Sequence, residues 1–191
     1  MARKIHYSRT EILDSALKLL REKGKTALTA RNIAHKTGCS THPIYSEFVS
    51  LKGLKKALYH HAYDFFITNI TTKNSPENFL DIGVNYVQFS KLEKNIFSFL
   101  FFNKDFSMDI NRLEIIDEKI INIIKKDKYV QSNAVKDYDQ VFFNLWIFAH
   151  GLAALIWESS TDYNEHEIRR ILKTTGKTII QGLMNEIPVA D

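Results

Sequence analysis

Residues 28–54 read LTARNIAHKTGCSTHPIYSEFVSLKGL, a stretch with the punctuation of two short helices around a glycine turn and the start of a third. Thr29 can cap a helix running to about Lys36, because its hydroxyl can accept an orphan backbone N–H. Ile33 and Ala34 then face inward, and Gly38 can take the left-handed conformation that ends a helix. Ser40 or Thr41 can cap the next helix, Pro43 falls in its first turn, and Ile44 with Phe48 supplies an inward face at i, i+4. Thr41, His42, Tyr45 and Ser46 are left facing outward. Hydroxyls, an imidazole and a phenol on one helix face are groups that hydrogen-bond base edges and phosphates.

An ordinary αα-hairpin has the same spacing, and charge separates the two readings. Residues 1–60 hold twelve Lys/Arg against four acids, a surplus of eight, while the whole chain carries +4, which leaves −4 for the remainder. A basic head on a mildly acidic body is the footprint of a protein whose one end meets polyphosphate.

The N-terminal third resembles the TetR (tetracycline-repressor-like) family of transcriptional regulators. Arg9, Ile12, Leu13, Ala16 and Leu19 are similar to that family's first helix, LTARNIAHKTG to its second, and STHPIYSEF with SLKGL to its third and fourth. The resemblance implies phosphate contacts at Thr29, Tyr45 and Lys52; Arg31 and the outward-facing Ser46 are further candidate DNA contacts. It places base reading at Ser40, Thr41, His42 and Pro43. Cys39 stands where the family usually carries a small aliphatic residue.

Apolar spacing in the remaining chain is helical throughout, with helices expected at about 9–23, 29–36, 40–47, 50–71, 76–91, 93–102, 109–127, 132–160 and 164–186. The expected fold is all-α with about nine helices. It has a three-helix helix-turn-helix DNA-binding head (residues 1–50), a linking helix (51–71) and a ligand-binding and dimerisation bundle (72–191). Lys73-Asn74-Ser75-Pro76 breaks the chain after the long fourth helix, with Pro76 suited to the first position of the next.

Arg3, Lys4, His6, Arg9 and Glu11 leave no apolar signal region at the start, so a cytoplasmic location is expected. The apolar run Val141–Trp157 is shorter than the roughly 20 residues of a membrane span and carries Asn144 and His150. It reads as a buried helix, with no membrane contact. A single cysteine, Cys39, forms no internal disulfide; as a redox sensor it would need thiolate character, and its plainer role is turn packing. No G-x-G-x-x-G, P-loop, G-x-S-x-G, C-x-x-C or H-E-x-x-H motif is present, and His60-His61 cannot chelate from one helix face, so neither an enzyme nor a metal or cofactor is expected.

Two segments point to a homodimer. Small residues Gly151, Ala153 and Ala154, flanked by Leu152, Leu155 and Ile156, allow a close helix crossing. In the last helix Ile168, Ile171, Leu172, Thr175, Ile179, Leu183 and Ile187 form a stripe. The resemblance implies that these two helices make a four-helix interface between subunits.

Aromatic residues crowd the body: 19 of 23 lie beyond residue 60, and Tyr86, Phe89, Phe97, Phe99, Phe101, Phe102 and Phe106 fall within 21 positions. Candidate walls of a pocket for a small apolar or aromatic ligand are Phe65, Phe66, Tyr86, Phe89, Phe102, Phe143, Trp146, Phe148 and His150, with Asn144 and His150 as polar anchors. Core packing is the plainer role for each ring.

The expected function is a dimeric regulator, a repressor on the family's pattern, released from a pseudo-palindromic operator when a ligand reorients the helix that opens at Lys52. The alternatives are a helical ligand-binding protein without specific DNA binding and a DNA-binding regulator controlled by a protein partner.

Overall fold

The computed structural model describes residues 7–72, 79–103, 118–133, 135–159 and 162–184. Pro76, Phe106, residues 109–117 of the expected seventh helix and Ile187 lie outside them. The described residues form α1 (Arg9–Lys23), a 3-10 turn (Lys25–Ala27), α2 (Ala30–Thr37), α3 (His42–Phe48), α4 (Leu51–Thr72), α5 (Phe79–Leu92), α6 (Lys94–Phe101), α7 (Glu118–Lys126), α8 (Lys128–Ser132), α9 (Tyr138–Glu158) and α10 (Glu165–Met184).

They group into two compact units. Unit 1 comprises Met1–Phe66 and Glu93–Met108, and unit 2 comprises Ile67–Leu92 and Asp109–Asp191. α4 contributes to both units, and α6 belongs to unit 1, with Ile96, Phe97, Phe99 and Leu100 buried.

In unit 1, α1 begins with a capping box: Ser8 Oγ accepts from Glu11 N at 3.2 Å and Glu11 Oε2 accepts from Ser8 N at 2.8 Å. Its face Ile12, Ala16, Leu19 and Leu20 is buried, and α2 and α6 pack against it. Glu93, almost fully buried just before α6, takes Arg21 Nε at 2.7 Å and a second, very short bond from the same guanidinium. Asn95 Nδ2 adds a bond to Arg21 O at 3.0 Å, tying the start of α6 to the end of α1. His61 on α4 reaches Asp14 on α1 at 2.8 Å.

The junction of α3 and α4 is a tight γ-turn. Ser50 N donates to Phe48 O at 2.6 Å, and the intervening Val49 has φ 63. A β-branched side chain in that region strains the backbone. Gly53 belongs to the same turn, because a Cβ there would lie 2.4 Å from Phe48 O.

In unit 2, α5 lies at the centre and packs on α9, α10 and α7, burying Ile82, Val84, Tyr86, Val87 and Phe89. Asp127 organises the turn after α7. Its Oδ1 accepts Tyr129 N at 2.9 Å and Val130 N at 3.1 Å, and its Oδ2 accepts Phe79 N at 3.0 Å. That cap starts a separate short helix, α8, which the apolar spacing did not reveal. The helix expected from residue 132 instead begins at Tyr138, because Asp137 accepts Gln140 N at 2.9 Å and caps it there. Arg169 on α10 bonds Asp81 on α5 at 2.6 Å, and Lys91 on α5 holds Asp162 at 2.5 Å and Tyr163 O at 2.8 Å in the segment before α10.

The expectation of a buried helix over Val141–Trp157 is corrected. Of the 21 residues of α9 only Val141, Phe142, Ala149, Ala153 and Ile156 are buried. Among the described residues α9 is also the one helix long and apolar enough to cross a membrane.

Two substitutions test these junctions by urea denaturation. Asp127→Ala leaves three backbone N–H groups without their acceptor and should cost about 1–3 kcal/mol. Val49→Gly removes the strain at φ 63 and should stabilise the protein by about 1 kcal/mol.

Candidate nucleic-acid interface

Residues 29–48 fold as two short helices, α2 and α3, joined by a glycine turn. Thr29 caps α2, its Oγ1 accepting from Asn32 N at 3.2 Å. Gly38, with φ 80 and ψ 28, ends the helix, while Cys39 N donates to Ala34 O at 2.9 Å and Gly38 N to His35 O at 3.2 Å. This paired return of N–H groups satisfies the last carbonyls of α2 and needs the left-handed glycine.

α3 opens differently from expectation. Thr41 occupies the position before the helix, but its backbone is already helical (φ −72, ψ −14) and its hydroxyl makes no capping bond; Ser40 does not cap either. A side-chain cap works from an extended backbone, which this residue lacks. Pro43 falls in the first turn as its missing N–H allows.

Ile44 and Phe48 are buried, and α3 keeps Thr41, His42, Tyr45 and Ser46 in solvent. Thr29, Arg31, Ser40 and Lys52 are exposed as well, and Pro43 is half-buried. All nine residues expected to meet DNA therefore lie in unit 1, eight of them exposed.

Two residues far upstream of this segment, at the start of α1, hold it, and no local pattern announced these contacts. The Tyr7 hydroxyl donates to Gly38 O at 2.6 Å, in the turn between α2 and α3. Arg9 Nη1 donates to Glu47 O at 2.9 Å, and the guanidinium lies 4.3 Å from the centre of the Phe48 ring. Lys36 is engaged by Glu22 at 2.8 Å, and that bond lowers the Glu22 pKa. Burial pushes the Cys39 thiol up, away from the thiolate that a redox sensor needs.

The residues expected to line a ligand pocket divide between the units. In unit 1, Phe65 is half-buried, Phe66 is buried with its ring edge-on to Phe101 at 5.4 Å, and Phe102 is 39% exposed beside Phe97. In unit 2, four of the others are brought together. Tyr86 Oη lies 2.7 Å from His150 Nδ1, Trp146 stacks on His150 at 5.2 Å, and Phe143 stacks on Trp146 at 6.4 Å. Phe89 is buried on α5, and Asn144 accepts from Gln140 Nε2 at 3.1 Å within its own helix.

Among the residues expected at a dimer interface, Ile168 and Leu172 are buried within unit 2. Gly151 and Leu155 are exposed, Leu155 by 66%, and Leu152, Thr175, Ile179 and Leu183 are half-buried. Ile147, 49% exposed one turn before Gly151, extends the same face and was readable from its spacing.

Burial pulls the His150 imidazole below its ordinary value of 6.5, so the unfolded chain binds that proton more readily than the folded one. The stability associated with neutral His150 should be intact above pH 6.5 and lost as pH falls towards the lowered folded value. His150→Gln should flatten that part of a stability profile measured by denaturation across pH.

No family model and no curated protein matches the chain. Solved structures do. A TetR-family member from Streptomyces coelicolor A3 is 14% identical, with a TM-score of 0.56 over 87% of this chain and 96% of that one. A TetR-like transcriptional regulator from Rhodococcus sp. RHA1 is 12% identical, with a TM-score of 0.58 over 97% and 100%. A protein of unknown function from the same organism is 15% identical, with a TM-score of 0.63 over 95% and 98%. The chain has the fold of the TetR-like regulators.

Proposed function

We infer that the chain is a DNA-binding transcription regulator whose α3 enters the major groove. The observation that carries this reading is the split of α3 and the residue before it: Ile44 and Phe48 buried, Thr41, His42, Tyr45 and Ser46 in solvent. The excess of basic residues within the first 60 supports it. Side chains at the start of α3 suit base edges, and Thr29 with Lys52 suits phosphates.

The regulator acts as a homodimer on a pseudo-palindromic operator and as a repressor released by a small molecule. A helix as short as α3 buries too little to hold DNA tightly alone, so two copies on two half-sites are required. The exposed apolar side of α9, with Ile147, Gly151 and Leu155, supports a second copy as the partner. The Tyr86, His150, Trp146 and Phe143 group supports an apolar or aromatic ligand in unit 2. α4 is continuous from Leu51 to Thr72 and contributes to both units, which suits it to carry the coupling.

In vitro selection of random duplex DNA at moderate salt should enrich a twofold-symmetric site; a folded protein that enriches nothing sinks the reading. Lys52→Ala should weaken binding to all sequences and lower the salt slope by about one charge, whereas Thr41→Ala or His42→Ala should change the preferred bases. Leu155→Glu should convert the dimer to monomer in sedimentation without unfolding it, since the side chain is 66% exposed. A ligand that releases the operator should itself bind more weakly when operator is present, by about 5 to 150-fold.

A further inference from the structure

The start of α1 grips α3 from both ends. Tyr7 donates to the Gly38 carbonyl in the turn that leads into α3. Two residues later, Arg9 donates to the carbonyl of Glu47 in the last turn of the same helix and lies over the buried Phe48 ring. Carbonyls of a final helical turn have no partner within the helix, and a cation there also meets the negative end of the helix dipole. Just beyond Arg9's contact, the γ-turn at Val49 and the close approach of Phe48 O to Gly53 stop the chain from relaxing into a longer helix. α3 has only seven residues, so its direction is set by these end contacts and by the burial of Ile44 and Phe48.

Arg9 is part of the basic head and would ordinarily be counted among its phosphate contacts. We propose that Arg9, together with Tyr7, is a positioning residue that sets the pitch of α3 in the groove, and so controls sequence discrimination rather than overall affinity. The proposal rests on the regulator reading for its DNA consequence and on the geometry alone for the clamp. The chemistry separates the two roles of Arg9. A phosphate contact needs only a cation, which lysine also supplies, whereas a bond to a helix carbonyl combined with stacking on a ring needs the planar guanidinium.

The test compares Arg9→Lys, Arg9→Met and Tyr7→Phe with the unchanged protein. The readouts are affinity for the selected site, affinity for a scrambled duplex, the salt slope on the scrambled duplex, and amide hydrogen exchange of residues 42–54 without DNA. Arg9→Lys and Tyr7→Phe should each lower the ratio of selected to scrambled affinity by about tenfold while leaving the salt slope unchanged. Both should also speed exchange in residues 42–54 more than in the rest of α1 and α2. Tyr7→Phe removes one hydroxyl and keeps the ring, so it remains informative if Arg9→Met unfolds. A fully retained ratio in Arg9→Lys with a slope lowered by about one charge in Arg9→Met would make Arg9 a phosphate contact and overturn the proposal. Unchanged exchange in both Arg9→Lys and Tyr7→Phe would overturn it independently of DNA. A wild-type protein that selects no sequence sinks the regulator reading, and the exchange measurement then decides the clamp by itself.

Discussion

A seven-residue helix has too few internal hydrogen bonds to persist alone, so α3 exists because its surroundings hold it. Ile44 and Phe48 anchor it from below, and Tyr7 and Arg9 fasten the turn before it and its last turn. The tight turn at Val49 closes it against the first turn of α4. This arrangement leaves one side of α3 with no structural duty, and that side carries the polar groups Thr41, His42, Tyr45 and Ser46. The strain at Val49 is the backbone cost of turning sharply from a short exposed helix into a long one.

Charge in unit 1 is divided between internal and external tasks. Arg9 serves the end of α3, Arg21 pairs with the buried Glu93 ahead of α6, and Lys36 pairs with Glu22. The Arg21–Glu93 contact answers a specific problem, since a carboxylate nearly removed from water needs a matched donor. Lys36 and Glu22 remain in solvent, where such a pair contributes little to stability. The count of basic residues therefore overstates how many are available to a polyanion.

Unit 2 is built around α5, whose apolar residues and buried Asn85 are covered on several sides; Asn85 meets its burial by donating to Ile70 O at 3.1 Å. α9 is the contrast. It is among the most apolar stretches of the chain, yet only a narrow face of it is buried, and Ile147 and Leu155 stand in water. An apolar helix with an uncovered side is either completed by another surface or is a liability, and that is the physical ground for the proposed second copy.

Helix positions near residues 9–72 were legible because local chemistry sets them: Thr29 caps, Gly38 turns left-handed, and apolar residues recur at helical spacing. The exposure of Thr41, His42, Tyr45 and Ser46 follows from the same spacing once Ile44 and Phe48 face inward. The helix starts capped by Asp127 and Asp137 are not legible in the sequence, because an aspartate can cap or be solvated and only its neighbours decide. Burial of Ile168 and Leu172, which shared their stripe with half-buried Ile179 and Leu183, was likewise undecidable, since periodicity marks an apolar face without saying what covers it. By itself the sequence determined the all-helical architecture and the outward chemistry of α3, because both arise from contacts a few residues apart. Only the tertiary structure decided the grip of Tyr7 and Arg9 on α3, the pairing of Tyr86 with His150 and the open side of α9, because each joins or separates residues whose distance in space bears no relation to their distance along the chain.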